Sequence, residues 1–206
     1  MLPDPIKKFA AVFAKLPSIG PRQATRLAFH IANLSKGQIK ELAEVITALG
    51  MLGTCSRCFR TFTPSTAGHL GSGELCAICA DPTRNTGLIA IVEKETDIIS
   101  LEKTRKFNGW YLLLGELHKS GELEHEQKLR IEHLKKFIAK ELGGKADEII
   151  LAINPTVYGD LNAALLKKDL EPLAQTITRL GRGIPTGGEI EFADEDTLGE
   201  AIERRK

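Results

Sequence analysis

The sequence has no long apolar run, almost no net charge and only four cysteines among its 206 residues. No stretch approaches the roughly 18 uncharged residues that a membrane-spanning helix needs, which argues against a membrane protein. The first residues lack the basic stretch and apolar core of a secretory signal, so we expect a cytoplasmic protein. The hydrophobic fraction of 42% is enough for a core, which argues against wholesale disorder.

The motifs of several common enzyme classes are also missing. The sequence contains no phosphate-binding loop and no dinucleotide-binding fingerprint, so nucleotide hydrolysis is not indicated. No Ser-His-Asp or Cys-His set can be assembled for covalent catalysis, because every cysteine belongs to the metal-binding pattern described below. Neither of these routes to catalysis is indicated by the sequence.

The net charge of +1 conceals an uneven distribution. Residues 1–87 carry ten Lys and Arg against five Asp and Glu, a balance of +5 that leaves −4 for residues 88–206. This asymmetry suggests that the amino-terminal part meets a polyanion, whereas the acidic part meets something else. An ordinary charged surface is the alternative, and charge alone does not decide between the two.

Three regions differ in their pattern of apolar residues. Between residues 6 and 52, apolar side chains recur at helical spacing and predict three helices, the second beginning at Pro21 and the third capped by Ser35. Residues 54–86 hold all four cysteines and show no helical period. From residue 87 onward, near-continuous apolar strands alternate with amphipathic helices, which predicts a small parallel sheet covered on both faces. The predicted strands are residues 88–92, 110–114, 148–153 and 175–180.

The four cysteines form two C-x2-C pairs, Cys55 with Cys58 and Cys76 with Cys79. Each pair makes a tight turn whose sulfurs converge on one ion, and the separation between the pairs matches a tetrahedral four-thiolate zinc site. Because all four positions are filled, the spacing predicts one structural Zn²⁺ per chain and not a catalytic one. Two disulfides are the alternative, disfavoured in a reducing cytosol. We expect His69, in the intervening loop, to be a surface residue.

A glycine-bearing turn at residues 16–21 joins the first two predicted helices, and the second helix begins directly after it. The amino terminus of a helix offers unpaired N–H groups and partial positive charge, which suit a phosphate. Arg22 and Arg26 lie four residues apart and therefore share a face beside those amides. We predict that Gly20, Arg22 and Arg26 bind a nucleic-acid backbone with little sequence preference. The alternative is a plain helical hairpin with solvated arginines.

Together, these regions resemble the RecR family of bacterial recombination mediators over essentially the whole chain. The glycine turn resembles the helix-hairpin-helix of DNA-repair proteins, and the cysteine pairs and the β/α region follow it in the order typical of the family. The most specific matching segments are residues 154–157 and 182–195. The others are residues 16–21, 26–30, 81–82 and 91–93 with the four cysteines.

The resemblance implies a multi-part fold of mixed α+β and α/β class. Its expected parts are a helix-hairpin-helix at residues 1–53, a four-cysteine zinc finger at 54–86, a Toprim-like domain with a small, mainly parallel sheet at 87–180 and an acidic oligomerisation segment at 181–206. In the last part, acidic and apolar residues alternate over residues 189–192, which predicts a half-buried strand. A solvated acidic edge is the alternative there.

The resemblance also implies a function in DNA repair. RecR-like proteins assemble into ring-shaped tetramers able to surround DNA. They act with RecO, and in many bacteria with RecF, to load RecA onto single-stranded gaps coated by SSB. For this chain we therefore expect three kinds of partner: single- and double-stranded DNA, RecO-like and RecF-like proteins, and further copies of the chain in a homo-dimer or tetramer.

The resemblance places a Toprim acidic site on Glu93 and Asp160. Toprim enzymes hold Mg²⁺ with a glutamate after the first strand and an Asp-x-Asp after a later one, but residues 154–156, after the third predicted strand, contain no Asp-x-Asp. Two-metal phosphoryl chemistry needs several converging carboxylates, so we expect a protein that is not an enzyme, in which Glu93 and Asp160 form a surface for a partner or for DNA. A Mg²⁺-dependent nuclease or primase-like enzyme is the alternative function. Tyr158 stands where members of the family usually carry an acid.

Overall fold

The computed structural model describes residues 2–64, 74–203 and 205. The chain divides into two compact units, with the boundary between residues 52 and 53. His69 lies outside the described residues, so its expected surface position is not tested. In the described part of the chain, no helix is both long enough and apolar enough to cross a membrane.

Three helices build the amino-terminal unit. They are α1 (Asp4–Phe13), α2 (Pro21–Ala32) and α3 (Lys36–Leu49). Helices α1 and α2 pack against each other, and the buried residues on them are Ile6, Ala24 and Ala28. The two alanines let the helices approach closely because their side chains are small.

The residues that begin α2 and α3 agree with the sequence prediction. Pro21 occupies the first position of α2, where its missing N–H has no bond to make. The Ser35 Oγ accepts a hydrogen bond from the Gln38 N–H at 3.3 Å, and the Gln38 side chain accepts one from the Ser35 N–H at 3.0 Å. This reciprocal pair satisfies two N–H groups at the start of α3.

The described residues of the second unit form two sheets. A short antiparallel ribbon pairs β1 (Gly53–Thr54) with β2 (Thr61–Phe62). The larger sheet consists of β3 (Leu88–Val92), β4 (Trp110–Leu113), β5 (Ala146–Ala152) and β6 (Ala174–Arg179), in the spatial order β4-β3-β5-β6. Every neighbouring pair in it is parallel, which confirms the predicted parallel sheet. The helices of this unit are α4 (Ala77–Ala80), α5 (Glu95–Thr104), α6 (His125–Glu141), α7 (Val157–Leu170) and α8 (Glu195–Glu203).

The core of the second unit is centred on β3. Four of the five residues of this strand are buried, and Ile91 lies between Leu112 of β4 and Leu151 of β5. Leu134 and Ile138 of α6 are also fully buried in the same core. Burial of consecutive strand residues explains why the sequence shows continuous apolar runs and not an alternating pattern.

The strand predicted over residues 189–192 is wrong. Ile190–Phe192 form one turn of 3-10 helix, and the side chains of Ile190 and Phe192 are 70% and 79% exposed. A strand needs backbone hydrogen bonds to a neighbouring edge, and within the described chain residues 189–192 pair with neither edge strand of the sheet, β4 or β6. Asp194 then begins α8, because its carboxylate accepts the Thr197 N–H at 2.8 Å.

Candidate metal centre and nucleic-acid interface

The four cysteines form one buried cluster. Their sulfur atoms all lie within 4.8 Å of one another, and the sulfurs of Cys58 and Cys76 are 3.6 Å apart. Zn–S bonds of about 2.3 Å in a tetrahedral site place the sulfurs roughly 3.8 Å apart, so the cluster fits one ion. Among the described residues, no other group of three or more His, Cys, Asp or Glu is arranged to hold a metal.

Backbone turns bring the four sulfurs together. Cys55 and Cys58 lie in the loop between β1 and β2, where Phe59 has a left-handed φ of 63° and its N–H donates to the Cys55 carbonyl at 3.0 Å. Cys76 precedes α4, and Cys79 lies within it. The Cys76 N–H donates to the Cys55 sulfur at 3.3 Å. A hydrogen bond to sulfur favours the thiolate, which is the form that binds a metal.

Crowding alters the pKa values of the thiols in opposite directions. The hydrogen bond with Cys58 lowers the pKa of Cys55 far below its ordinary value. Hydrogen bonds with Cys55, and then with Cys58 and Cys76, raise the pKa of Cys79 well above its ordinary value. A metal ion that binds all four sulfurs as thiolates must displace the protons that they share, so its binding is coupled to proton release.

The cysteine module packs on the β/α core. The Leu113 N–H of β4 donates to the Cys58 carbonyl at 2.9 Å. Arg57 donates to the Cys79 carbonyl at 3.1 Å, and its guanidinium lies 5.1 Å from the centre of the Phe137 ring of α6. The cysteines and the sheet share one continuous core. An ion in the module therefore stabilises the β/α fold as well as its own loop.

The turn before α2 leaves backbone amides free. Gly20 caps the helix in an extended conformation without a side-chain hydrogen bond, and its carbonyl accepts the Ala24 N–H at 2.9 Å. Within the described chain, the N–H groups of Arg22 and Gln23 have no hydrogen-bond partner. A Cβ added at Gly20 would meet no atom within 4 Å. The fold itself does not require glycine there, but the open surface lets a ligand approach the backbone closely.

The predicted DNA-binding arginines lie beside these amides. Arg22 and Arg26 are exposed on α2, and neither forms an ion pair within the described residues. By contrast, Lys7 on α1 pairs with Asp4 at 3.0 Å. The structure therefore brings Gly20, Arg22 and Arg26 to one end of α2, where free amides and unpaired guanidinium groups suit a phosphate.

Glu93 and Asp160 both lie at the carboxyl edge of the parallel sheet, but other residues engage them. Glu93 follows β3, and its Oε1 accepts the backbone N–H of Asn154 at 2.9 Å and the side-chain amide at 3.0 Å. Asp160, in the first turn of α7, accepts hydrogen bonds from Arg182 and, at 2.7 Å, from Arg179. The Arg182 and Arg179 guanidinium groups hold the pKa of Asp160 below its usual range.

A cavity of about 570 Å³ opens at the same edge. Asp160, Arg179 and Arg182 line it, whereas Glu93 does not, although its partner Asn154 does. Sequence reasoning missed the role of Arg179 and left Arg182 unassigned. No local motif signals their contact with Asp160, because it depends on β6 ending beside the start of α7.

Tyr158 lies beside a basic side chain. The tyrosine is 45% exposed, and the Lys119 ammonium lies 5.5 Å from the centre of its ring. This distance is that of a cation–π pair. The position therefore presents an aromatic and a basic group to solvent.

Comparison with known proteins accounts for most of the chain. The family model for the RecR helix-hairpin-helix matches residues 6–49. A Toprim domain model matches residues 87–181, and the model for the RecR C-terminal region matches residues 183–206. These matches confirm the helix-hairpin-helix and Toprim-like parts of the predicted fold.

Full-length relatives extend this similarity. Recombination protein RecR of Clostridium perfringens is 38% identical over 204 residues, which cover 98% of this chain and 96% of the relative. The same-named proteins of Chloroflexus aurantiacus and Chloroflexus aggregans are 38% and 36% identical over 207 residues, which cover 100% of this chain and 96% and 95% of the relatives. This likeness spans the hairpin, the cysteine module, the parallel sheet and the C-terminal segment alike, and the chain belongs to the RecR family of recombination proteins.

Proposed function

We propose that this chain is a DNA-binding recombination mediator with no catalytic activity of its own, acting in the cytoplasm in DNA repair. The observation that carries the proposal is the start of α2, where free amides lie beside the unpaired Arg22 and Arg26 in a chain of the RecR family. In this role the protein loads RecA onto single-stranded gaps coated by SSB. It acts there with a RecO-like protein and, where one exists, a RecF-like protein.

The hairpin, residues 1–53, binds the sugar-phosphate backbone. Contacts of Gly20, Arg22 and Arg26 with phosphate oxygens position the nucleic acid but carry no base information. The proposal therefore includes both single- and double-stranded DNA, with little preference for sequence.

A closed homo-oligomer, a dimer or a tetramer, compensates for the few contacts that one hairpin makes. Several hairpins on one ring act at high effective concentration, so avidity replaces individual strength. The segment 181–206 contributes to the subunit contact. The high exposure of Ile190 and Phe192 supports this role, because large apolar side chains in solvent often mark an interface.

The Toprim-like domain, residues 87–180, recruits the protein partner. Glu93 and Asp160 belong to the docking surface, and neither provides a ligand for a catalytic metal. The pairing of Asp160 with Arg179 and Arg182 supports the absence of a catalytic metal there, because a carboxylate already paired with two guanidinium groups has little left to offer a divalent cation.

The module at residues 54–86 holds one structural Zn²⁺ through Cys55, Cys58, Cys76 and Cys79. The buried four-sulfur set supports zinc, because soft thiolates in tetrahedral arrangement suit this ion and leave no open coordination position. The ion supplies folding energy to the module. The cysteines hold the two tight turns of the module in place and take no part in a reaction.

The affinity of the full-length protein for DNA tests the proposal. Replacing Arg22 and Arg26 together by Ala should weaken binding at least about tenfold, because two charge-assisted phosphate contacts are lost in every subunit that engages DNA. The matched control replaces Lys8 and Lys15, two other exposed cations of the same unit, by Ala. Equal losses in the two double variants would contradict a specific site at the start of α2 and favour a diffuse basic surface.

A further inference from the structure

We infer that a groove on α2 accepts an unstacked base of single-stranded DNA, an inference that rests on the proposed DNA-binding function. The groove has a volume of about 390 Å³ and lies wholly within the amino-terminal unit. The residues that line it are Ile19, Gln23, Arg26, Leu27 and His30. Of these, Arg26 and the backbone N–H of Gln23 also belong to the phosphate site, whereas the Gln23 side chain and the other lining residues do not.

The groove lies next to the phosphate site on the same helix. Gln23, Arg26, Leu27 and His30 follow the spacing i, i+3, i+4 and i+7, which places them on one face of α2. Since successive residues turn by about 100°, Arg26 falls between Arg22 on one side and His30 on the other. Arg26 therefore borders both the groove and the phosphate site.

The lining residues have the chemistry that a base requires. Ile19 and Leu27 are half-buried and provide an apolar floor. Arg26 and His30 are exposed planar groups, and bases stack on guanidinium and imidazole planes. The Gln23 amide can both donate and accept, so it can pair with the edge of any base. Within the described chain, no hydrogen bond or ion pair occupies these three polar side chains.

The dimensions allow one nucleotide to use both sites. Arg26 and His30 are one helical turn apart, roughly 6 Å along the axis. A phosphate at Arg22 and Arg26 thus leaves its own base within reach of His30. The positive charge beside the groove also favours a nucleic acid over an apolar peptide segment as its occupant, because it attracts a polyanion.

The groove discriminates between single and double strands. In a duplex, the bases are paired and stacked, so one of them reaches a protein groove only after it has been extruded. In a single strand it is free to enter. The groove therefore adds a preference for single strands that phosphate contacts alone do not supply.

Removing the bases from the DNA tests this inference. The affinity of the full-length protein is measured for a short oligothymidylate and for an oligomer of equal length built from abasic deoxyribose phosphates. We expect the native protein to bind the thymidylate at least about fivefold more tightly, and His30→Ala to abolish this difference. The matched control is His125→Ala, which removes an exposed histidine from α6 in the other unit. It should retain the difference.

The outcomes distinguish a failure of the base-binding groove from a failure of the proposed DNA-binding function. Equal binding of both oligomers by the native protein would overturn the base-binding groove and leave phosphate binding intact, as would a preference that persists in His30→Ala. If the Arg22→Ala, Arg26→Ala variant bound the abasic oligomer as tightly as the native protein does, the proposed DNA-binding function would fail instead. Because His30 is exposed, circular dichroism of its variant should match that of the native protein, so a loss of folding is detectable separately.

Discussion

Individual side chains decide whether the carboxyl edge of the sheet can hold a divalent cation. Mg²⁺ prefers carboxylate oxygens that are free to complete an octahedral shell. At this edge, the Glu93 carboxylate accepts a hydrogen bond from Asn154, and Asp160 forms ion pairs with Arg179 and Arg182. Two arginines thus provide the positive charge that a metal ion would otherwise bring to Asp160.

This arrangement predicts that the protein does not cut DNA. Plasmid and single-stranded DNA incubated with the purified protein and Mg²⁺ should stay intact, because the two carboxylates do not form a metal site with a third ligand in the described chain. Agarose gel analysis of nicked and linear products checks this. Reproducible cleavage that disappears in Glu93→Gln would instead establish the Mg²⁺-dependent enzyme.

At the scale of elements, the cysteine module and the parallel sheet form one core. The Leu113 N–H of β4 donates a hydrogen bond to the Cys58 carbonyl. Arg57 donates to the Cys79 carbonyl within the module, and its guanidinium lies over the Phe137 ring of α6. Metal-binding energy is folding energy when the site does not exist in the unfolded chain. A metal held by the four sulfurs therefore stabilises elements that are far from it in sequence.

Metal removal should reveal this coupling. We expect about one zinc ion per chain in freshly purified protein, and chelation should lower the thermal midpoint of the β/α unit or lead to aggregation. Cys76→Ser should have the same effect without a chelator. Metal analysis and calorimetry make the measurement. Protein that contains no metal as purified, or an unfolding midpoint that chelation leaves unchanged, would rule out the structural zinc.

Elements that bury a continuous or periodic apolar face could be predicted from the sequence. Strand β3 lies at the residues that the sequence predicts, and Pro21 and Ser35 begin their helices as expected, since the cause of each element is local. The alternation of residues 189–192 predicts a strand that does not form, because these residues pair with no strand in the described chain and an alternating pattern alone does not reveal such pairing. The pairing of Asp160 with Arg179 could not be predicted from the sequence either, since only the folded sheet brings the two side chains together.

At the scale of the whole molecule, charge is divided between two compact units. The first forty residues carry seven Lys and Arg against Asp4 alone, and the unpaired arginines of α2 lie among them. Few phosphate contacts make one hairpin a weak binder, and each contact adds to the sensitivity of binding to salt. Several hairpins on one oligomer restore affinity through avidity but do not remove that sensitivity.

The salt dependence of DNA binding tests the central claim, that α2 binds phosphates through Arg22 and Arg26. Each phosphate contact adds about 0.7 to the slope of log affinity against log salt for single strands and about 0.9 for duplexes. Replacing both arginines by Ala should therefore flatten the slope by roughly 1.4 for single strands for every hairpin that engages the DNA. A slope that the double variant leaves unchanged, in protein of native mass and fold, would contradict the account.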